Sequence, residues 1–515
     1  MLMTQISRTR ICLKSKSDIS INIIIIIIMN SRCFIKSLCY SFLQPMVLLC
    51  VLAVGMLVSI ACHREESASA DDYMAFLLEN MSSADRMTYE ESFWRANINK
   101  TLEVRKEMGW DISERDFRYF VLPLRVNNET LDDFRTEYAD TLCRRVKGLS
   151  MEQAVLEINH WCHEMATYQP SDGRTSSPMA TIRKGYGRCG EESVLTVSAL
   201  RAAGIPARQV YTPRWAHTDD NHAWVEALVD GKWHFIGACE PEPKLDMAWF
   251  NAPVSRALLL HTRVFGKGYD GPEEVIFKTP AYTEINVTRG YVPTAKRIVT
   301  VRDKDGNAVE DAEVSFKIYN YAEFYTVATY KTSSDGKAAL STGMGDMLIM
   351  ASKGELFGIA KAAKDNIVLY DENKTYAADN DNVGSEDIVI VLDKKVGERY
   401  SFDFDIVPPA ENPLPAAATE AEIAENKLRF EKENQMREAR PKGNTRVLEA
   451  FKNFSDSLIQ ANPSLVDPMI YERLISSLSE KDKNDVTFAV LADALIHAGK
   501  SFSKYRDCPR VELEF

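Results

Sequence analysis

The stretch from Gly187 to Ile236 leaves little freedom in how it folds. Ser193 to Ala203 is an almost unbroken run of apolar and small residues, read as a buried helix. Gly204 is placed for a left-handed C-terminal cap, and Pro206 bars continuation. Ala207 to Tyr211 then reads as a strand, a polar loop runs through Asp219-Asp220-Asn221, and His222 to Val229 reads as a second strand. Asp230-Gly231 turns the chain into a third, Lys232 to Ile236. A buried helix followed by a hairpin makes this region α+β.

Two residues in this frame carry chemistry. Cys189 stands in the first turn of the helix, where free amides and the positive dipole end favour a thiolate, so a lowered thiol pKa is expected. His222 leads a strand 33 residues later (222 minus 189), and a base on a strand can face a nucleophile on a helix end. The bland reading of Cys189 stays open, since free cysteines are most often buried and inert. His217 competes as the base, but it lies in a loop, whereas His222 has a partner strand to hold it rigid.

The order Gly187-Arg188-Cys189-Gly190-Glu191, Ala203-Gly204-Ile205-Pro206-Ala207-Arg208, Asn221-His222-Ala223-Trp224-Val225-Glu226 and Asp230-Gly231-Lys232-Trp233 resembles the core of the transglutaminase-like superfamily over roughly residues 150–255. Arg174-Thr175-Ser176-Ser177-Pro178, Arg214-Trp215-Ala216-His217 and Gly237-Ala238-Cys239-Glu240-Pro241-Glu242-Pro243 resemble, more narrowly, large transglutaminase-like lipoproteins of Gram-negative bacteria. The resemblance implies a papain-like α+β core, Cys189 as nucleophile, His222 as base, and Arg188, Arg214, Trp215 and Trp224 as substrate-binding residues.

One position departs from the pattern. The superfamily places an aspartate four residues after the hairpin tryptophan; counted from Trp233 that position is Gly237. Glu240 or Glu242 is expected to reach the imidazole instead, Glu240 first, because a carboxylate is needed only to hold the tautomer and stabilise the imidazolium. A Cys–His dyad without a third member also remains open.

With 515 residues the chain has room for about three domains. Its hydrophobic fraction of 45% and charged fraction of 26% are those of a globular protein. A net charge of −12, with basic clusters lacking interleaved aromatics, argues against a nucleic-acid partner. Met46 to Val58 is an apolar core preceded by Arg32 and Lys36 and followed by Ser59-Ile60-Ala61-Cys62, a secretory signal that resembles a lipoprotein cleavage box. Lipidation at Cys62 would anchor the protein to a bacterial membrane, at the outer membrane or a periplasmic face of the envelope; an ordinary signal peptide or an uncleaved anchor is the alternative. The basic stretch and isoleucine run before Met29 suggest a start at Met29. Cys62, Cys143, Cys162, Cys189, Cys239 and Cys508 lack paired spacing, so no disulfide framework is expected, although a pair such as Cys143 with Cys162 stays open.

The expected organisation is an upstream extension and signal over 1–61, a tether and helical region over 62–149, the transglutaminase-like core over 150–290, a β-sandwich over 291–398, a linker over 399–416 and a helical region over 417–515. Ser150 and Gln153 form a capping box. Tyr168 to Tyr186 reads as a polar loop forming one wall of the cleft. His160 and His163, three apart on one helix, are read as packing or surface residues rather than metal ligands, and Cys239 as a buried inert thiol. Alternating strands joined by Asp305-Gly306 and Asp335-Gly336 turns resemble a carboxypeptidase-regulatory sandwich. The tail from Cys508 to Phe515 resembles the middle of a longer family member, so the chain is read as truncated there.

Two functions follow. The first is a thiol enzyme acting on amide bonds of peptides or proteins, a peptidase or amidase with water as acceptor and a transglutaminase with an amine. The second is an inactive surface lipoprotein that binds peptide or glycan. Neither implies a cofactor or metal, and no oligomeric state is assigned.

Overall fold

Among the described residues, five helices fill the N-terminal region: α1 (Ala70–Asn80), α2 (Ser83–Thr88), α3 (Glu91–Met108), α4 (Glu114–Phe120) and α5 (Phe134–Val146). The structure, a computed structural model, describes residues 68–369, 383–412, 418–461 and 467–502. The signal segment, Cys62 and the tail with Cys508 lie outside the described residues. On α3 the buried residues Trp94, Ile98, Thr101 and Val104 recur at helical spacing, which gives one inward stripe and one charged face. Its Trp94 packs edge-on against Tyr89 and Phe93, and its Val104 reaches the main core. Val104, Phe134, Leu142 and Val146 share a single cluster with Val155, Ile158, Leu195, Leu200 and Val225, and the Trp110 indole donates to the Ala203 carbonyl at 3.0 Å.

Helix α6 (Met151–Met165) opens with the capping box read from the sequence: the Gln153 amide donates to Ser150 Oγ, and the Ser150 amide to the Gln153 side chain. The segment expected as a loop is partly regular. Strands β1 (Thr167–Tyr168) and β2 (Tyr186–Gly187) pair in parallel and enclose helix α7 (Pro178–Lys184). Ser177 caps α7, Pro178 occupies its first turn, and Gly185 closes it at φ +77°. Helix α8 (Cys189–Ala202) follows, with Gly204 left-handed at φ +78° as expected.

Beyond α8 come strands β3 (Ala207–Thr212), β4 (His222–Val229) and β5 (Lys232–Ile236), helix α9 (Asn251–Val254), and strands β6 (His261–Phe265), β7 (Glu274–Lys278) and β8 (Tyr282–Asn286). The six strands form an antiparallel sheet in the order β5-β4-β3-β6-β8-β7. Its register sets His222 opposite Thr212 and Trp224 opposite Val210. Helix α8 packs with the N-terminal helices in one core against the β3–β5 end of this sheet. The architecture is α+β.

Two sheets follow, ordered β11-β10-β13-β14-β17 and β12-β9-β16-β15. They comprise β9 (Thr294–Arg302), β10 (Glu313–Asn320), β11 (Glu323–Lys331), β12 (Lys337–Gly343), β13 (Met347–Lys353), β14 (Leu356–Ala362), β15 (Val368–Leu369), β16 (Gly384–Val391) and β17 (Lys394–Lys395). The period-two residues Val299, Val301, Val314, Phe316, Ile349, Ile388 and Ile390 meet between them as a sandwich core. The Pro-rich stretch after β17 is pinned down along its described part. The Asp346 amide donates to the Val407 carbonyl at 2.8 Å, Arg256 Nε to the Pro409 carbonyl at 3.0 Å, and the Asn412 amide to Ser255 Oγ at 3.0 Å.

The C-terminal helices are α10 (Glu420–Ala439), α11 (Thr445–Ala461), α12 (Ile470–Ser477), α13 (Glu480–Asp485) and α14 (Phe488–Phe502). Phe451, Ile470, Leu474, Leu491 and Leu495 give them a small core. Helix α10 lies on α6, where His160 Nδ1 and His163 Nδ1 each stand 2.8 Å from one oxygen of Glu433. Phe430 stacks on His163 with centroids 3.7 Å apart. The two histidines are thus a buried docking pair for α10, a role invisible from α6 alone. Cys143, Cys162, Cys189 and Cys239 are free thiols, which leaves the open Cys143–Cys162 pairing unformed.

Candidate active site

Cys189 is the first residue of α8. Its sulfur lies within hydrogen-bonding reach of the amide of Ala223, the residue after His222, and of its own helix amide at Gly190. The fold therefore joins the helix start and the strand start that the sequence singled out. Electrostatics differ from expectation. Burial pushes the Cys189 thiol up, and the Ala223 amide and Arg188 charge offset this only in part. The helix end favours a thiolate, but loss of water costs more here. Burial likewise pushes the His222 imidazole down to about 4. The resting pair is a neutral thiol and a neutral imidazole.

His222 is boxed by aromatic rings. The centroid of Trp249 lies 4.9 Å away, that of Phe250 5.0 Å and that of Trp224 5.8 Å. Its Nε2 is enclosed without a hydrogen-bond partner among the described residues. Glu240 comes close through a tight turn in which its amide donates to the Gly237 carbonyl at 3.2 Å and Cys239 takes a left-handed φ of +56°. Its carboxylate accepts from Trp249 Nε1 at 2.8 Å, so its contact with the histidine runs through the indole. Burial raises the Glu240 pKa, partly opposed by that indole N–H. Glu192, 2% exposed on the inner face of α8, is raised well above the carboxylate range by burial and by the charges of Cys239 and Glu240, and its Oε1 is unpartnered among the described residues.

The expected substrate-binding residues have other places. Trp224 is fully buried with its indole N–H on Tyr291 Oη at 2.8 Å, and Trp215 is 3% exposed. Both are floor: Trp224, next but one to His222 on β4, faces the same packed side of the sheet, and Trp215 lies parallel to it with ring centroids 6.3 Å apart. Arg188 is engaged by the 172–175 segment: Nε donates to the Asp172 carbonyl at 3.2 Å, and Nη2 to the Gly173 carbonyl at 2.7 Å and to Thr175 Oγ1 at 2.9 Å. Arg214 lies over the Tyr325 ring, 4.2 Å from its centroid. His217 sits beside Trp215 and is lowered by burial and by Arg256. Cys239 is buried, near Thr196, and its thiol is pushed well up.

Tyr168 and residues 171–176 fall in the Tyr168–Tyr186 segment expected as a cleft wall, whereas Trp249 is a neighbour the sequence did not single out as functional. Tyr168, 54% exposed, feels the charge of Cys189, and Trp249, 57% exposed, covers His222. The wall 171–176 is anchored on Glu191, which is fully buried. Its carboxylate accepts from Ser171 Oγ at 2.8 Å, the Ser176 amide at 3.0 Å and the Arg188 amide at 3.0 Å, and pairs with Lys184 at 3.2 Å. Burial works against its charge, but these bonds hold it at about 2. On the opposite side, the β10–β11 turn grips the loop leading into His222. Asn320 Nδ2 donates to the carbonyls of Trp215 (2.8 Å) and Thr218 (2.7 Å), and the Tyr321 amide to Asp219 at 2.6 Å. Tyr321 and Ala322 take left-handed φ values of +50° and +58° to make that turn, strain held in place by its partner loop.

Residues 139–237 match the family model of the transglutaminase-like superfamily. No curated protein matches the chain. Among solved structures, the chain is similar to a candidate cysteine protease from Cytophaga hutchinsonii at 17% identity and a TM-score of 0.20, covering 34% of this chain and 64% of that one. It is also similar to a candidate protease from Parabacteroides distasonis at 15% identity and a TM-score of 0.21, covering 42% of this chain and 36% of that one. The chain thus spans less than two thirds of the length of either.

Proposed function

From the premise of a transglutaminase-like core, we propose that the protein is a thiol enzyme forming an acyl intermediate at Cys189 on an amide of a peptide or protein. His222 takes the thiol proton as sulfur attacks the carbonyl carbon, then gives it to the departing amine as the C–N bond breaks. Water, or a second amine, attacks the thioester and returns the thiol. The reading rests on one observation: Cys189 begins a buried helix with its sulfur against the amide that follows His222. A pair kept neutral by burial suits general-base attack rather than a preformed ion pair. Hydrolysis is the preferred outcome. The envelope location and the lipid at Cys62 belong to the same proposal and rest on residues 46–62.

The test is to incubate the protein with a peptide library and trap acyl-enzyme by acid quench. A mass increase at Cys189 is expected, absent in Cys189→Ala and reduced about 10²-fold or more in His222→Ala. Acylation that survives Cys189→Ala would sink the reading. The binding-module alternative is favoured by one observation, the Glu240 carboxylate bonded to Trp249 in place of the imidazole. Peptide binding without acylation would select it.

A further inference from the structure

We infer that Lys481, in the C-terminal helical region, is a positioning residue for the cleft wall 171–176. Its side chain is 4% exposed and carries its ammonium group onto the wall. Nζ donates to the Asp172 carbonyl at 2.7 Å and to the Arg174 carbonyl, and pairs with Asp172 Oδ1 at 2.9 Å and Glu191 Oε1 at 3.2 Å. Arg188, the residue before Cys189, takes the Asp172 carbonyl from the other side and the Gly173 carbonyl beside it. Three successive carbonyls of the wall therefore end on two cations, one at the N-cap of α8 and one on α13.

The chemistry calls for a lysine. Converging carbonyls and a buried carboxylate form a negative recess, and an ammonium brings donors in several directions with no acceptor of its own. Two ammonium groups, Lys184 and Lys481, pair directly with the carboxylates Glu191 and Asp172. Without Lys481, two carboxylates face one ammonium and the wall loses its outer hold. Helix α13 is fixed for the task. Ser479 caps its start, Arg174 pairs with Asp485 at 2.7 Å and Asp482 at 2.9 Å, and Arg183 on α7 donates to the Asn484 carbonyl at 2.6 Å. The consequence for Cys189 reactivity rests on the thiol-enzyme reading; the restraint of the wall does not.

The test is residue-resolved hydrogen exchange on the full chain, comparing wild type with Lys481→Met, Asp172→Asn and the control Lys483→Met. Lys481→Met should speed exchange of amides 171–176 at least tenfold while β3 to β5 keep their protection. Asp172→Asn, losing one exposed partner, should speed it two- to fivefold, and Lys483→Met should leave it unchanged. Loss of a nearby cation should also move the apparent Cys189 alkylation pKa upward in Lys481→Met. Unchanged exchange at 171–176, or an equal rise throughout the core, overturns the inference. If Lys481→Met does not fold, an unmoved wall in Asp172→Asn overturns it. Repeating the exchange in a Cys189→Ala background separates the result from thiol chemistry.

Discussion

A carboxylate oxygen of Glu240 lies 3.1 Å from the point at which a side chain on Gly237 would begin. The turn that left-handed Cys239 makes thus folds Glu240 back into the volume that an aspartate at 237 would enter. Gly237→Asp alone should cost about 1–3 kcal/mol from crowding, and less when Glu240 is alanine. Urea unfolding of the double-mutant cycle should give a coupling of about 0.5–3 kcal/mol. Equal costs in both backgrounds would show that the two positions do not share space.

Burial raises the thiol of Cys189 from its ordinary 9.0 and lowers His222 from 6.5 to about 4, so the free protein is a neutral pair at pH 7. Iodoacetamide labelling of Cys189 should keep accelerating above pH 9 without a plateau. A plateau below pH 7 would mean a preformed ion pair. The unfolded state binds the His222 proton below pH 6.5 and the folded state only near 4, so this term favours folding above pH 6.5 and is lost as pH falls to about 4.

Glu191→Gln should destabilise the chain by about 3–5 kcal/mol, because it leaves buried Lys184 without its counter-charge. Chemical denaturation measures this directly. A cost under about 1 kcal/mol would show that the carboxylate is not the anchor of the wall.

Asn320→Ala removes the donors to two carbonyls of the loop before His222 and should cost about 1–3 kcal/mol. Exchange at residues 216–220 should rise with it. If those amides stay protected, the sandwich turn does not hold the loop.

Glu433 sits between His160 and His163, and although burial opposes its charge, their hydrogen bonds bring it from 4.5 to about 2. Its contribution is present above pH 4.5 and fades as pH falls towards 2, on the order of 3 kcal/mol in all. Glu433→Gln should therefore flatten the acid limb of a stability–pH curve. An unchanged limb would assign acid sensitivity elsewhere.

Local signals carried much of the site into view. The Gly204 cap, the Asp230-Gly231 turn and the Ser150–Gln153 box each act within a few residues, and each is formed. Helix α7 was equally local, in Ser177-Pro178 and Lys184-Gly185, but polar residues around it read as loop. The expected thiolate failed for a different reason: the helix end is visible in sequence, whereas the depth at which Cys189 is buried is a product of the whole core. Trp224 misled because a tryptophan beside a motif looks the same whether it floors the cleft or lines it. Asn320, Glu433 and Lys481 touch the core from more than 100 residues away, and no periodicity records such a meeting.

Lys481 also sets a clock. It leaves the ribosome 292 residues after Cys189 (481 minus 189), about 15–60 s later at synthesis rates of roughly 5–20 residues per second. Until then helix α8 exists beside a wall with one of its two cationic holds missing. A thiol made early thus meets its finished surroundings late, only once α13 has emerged.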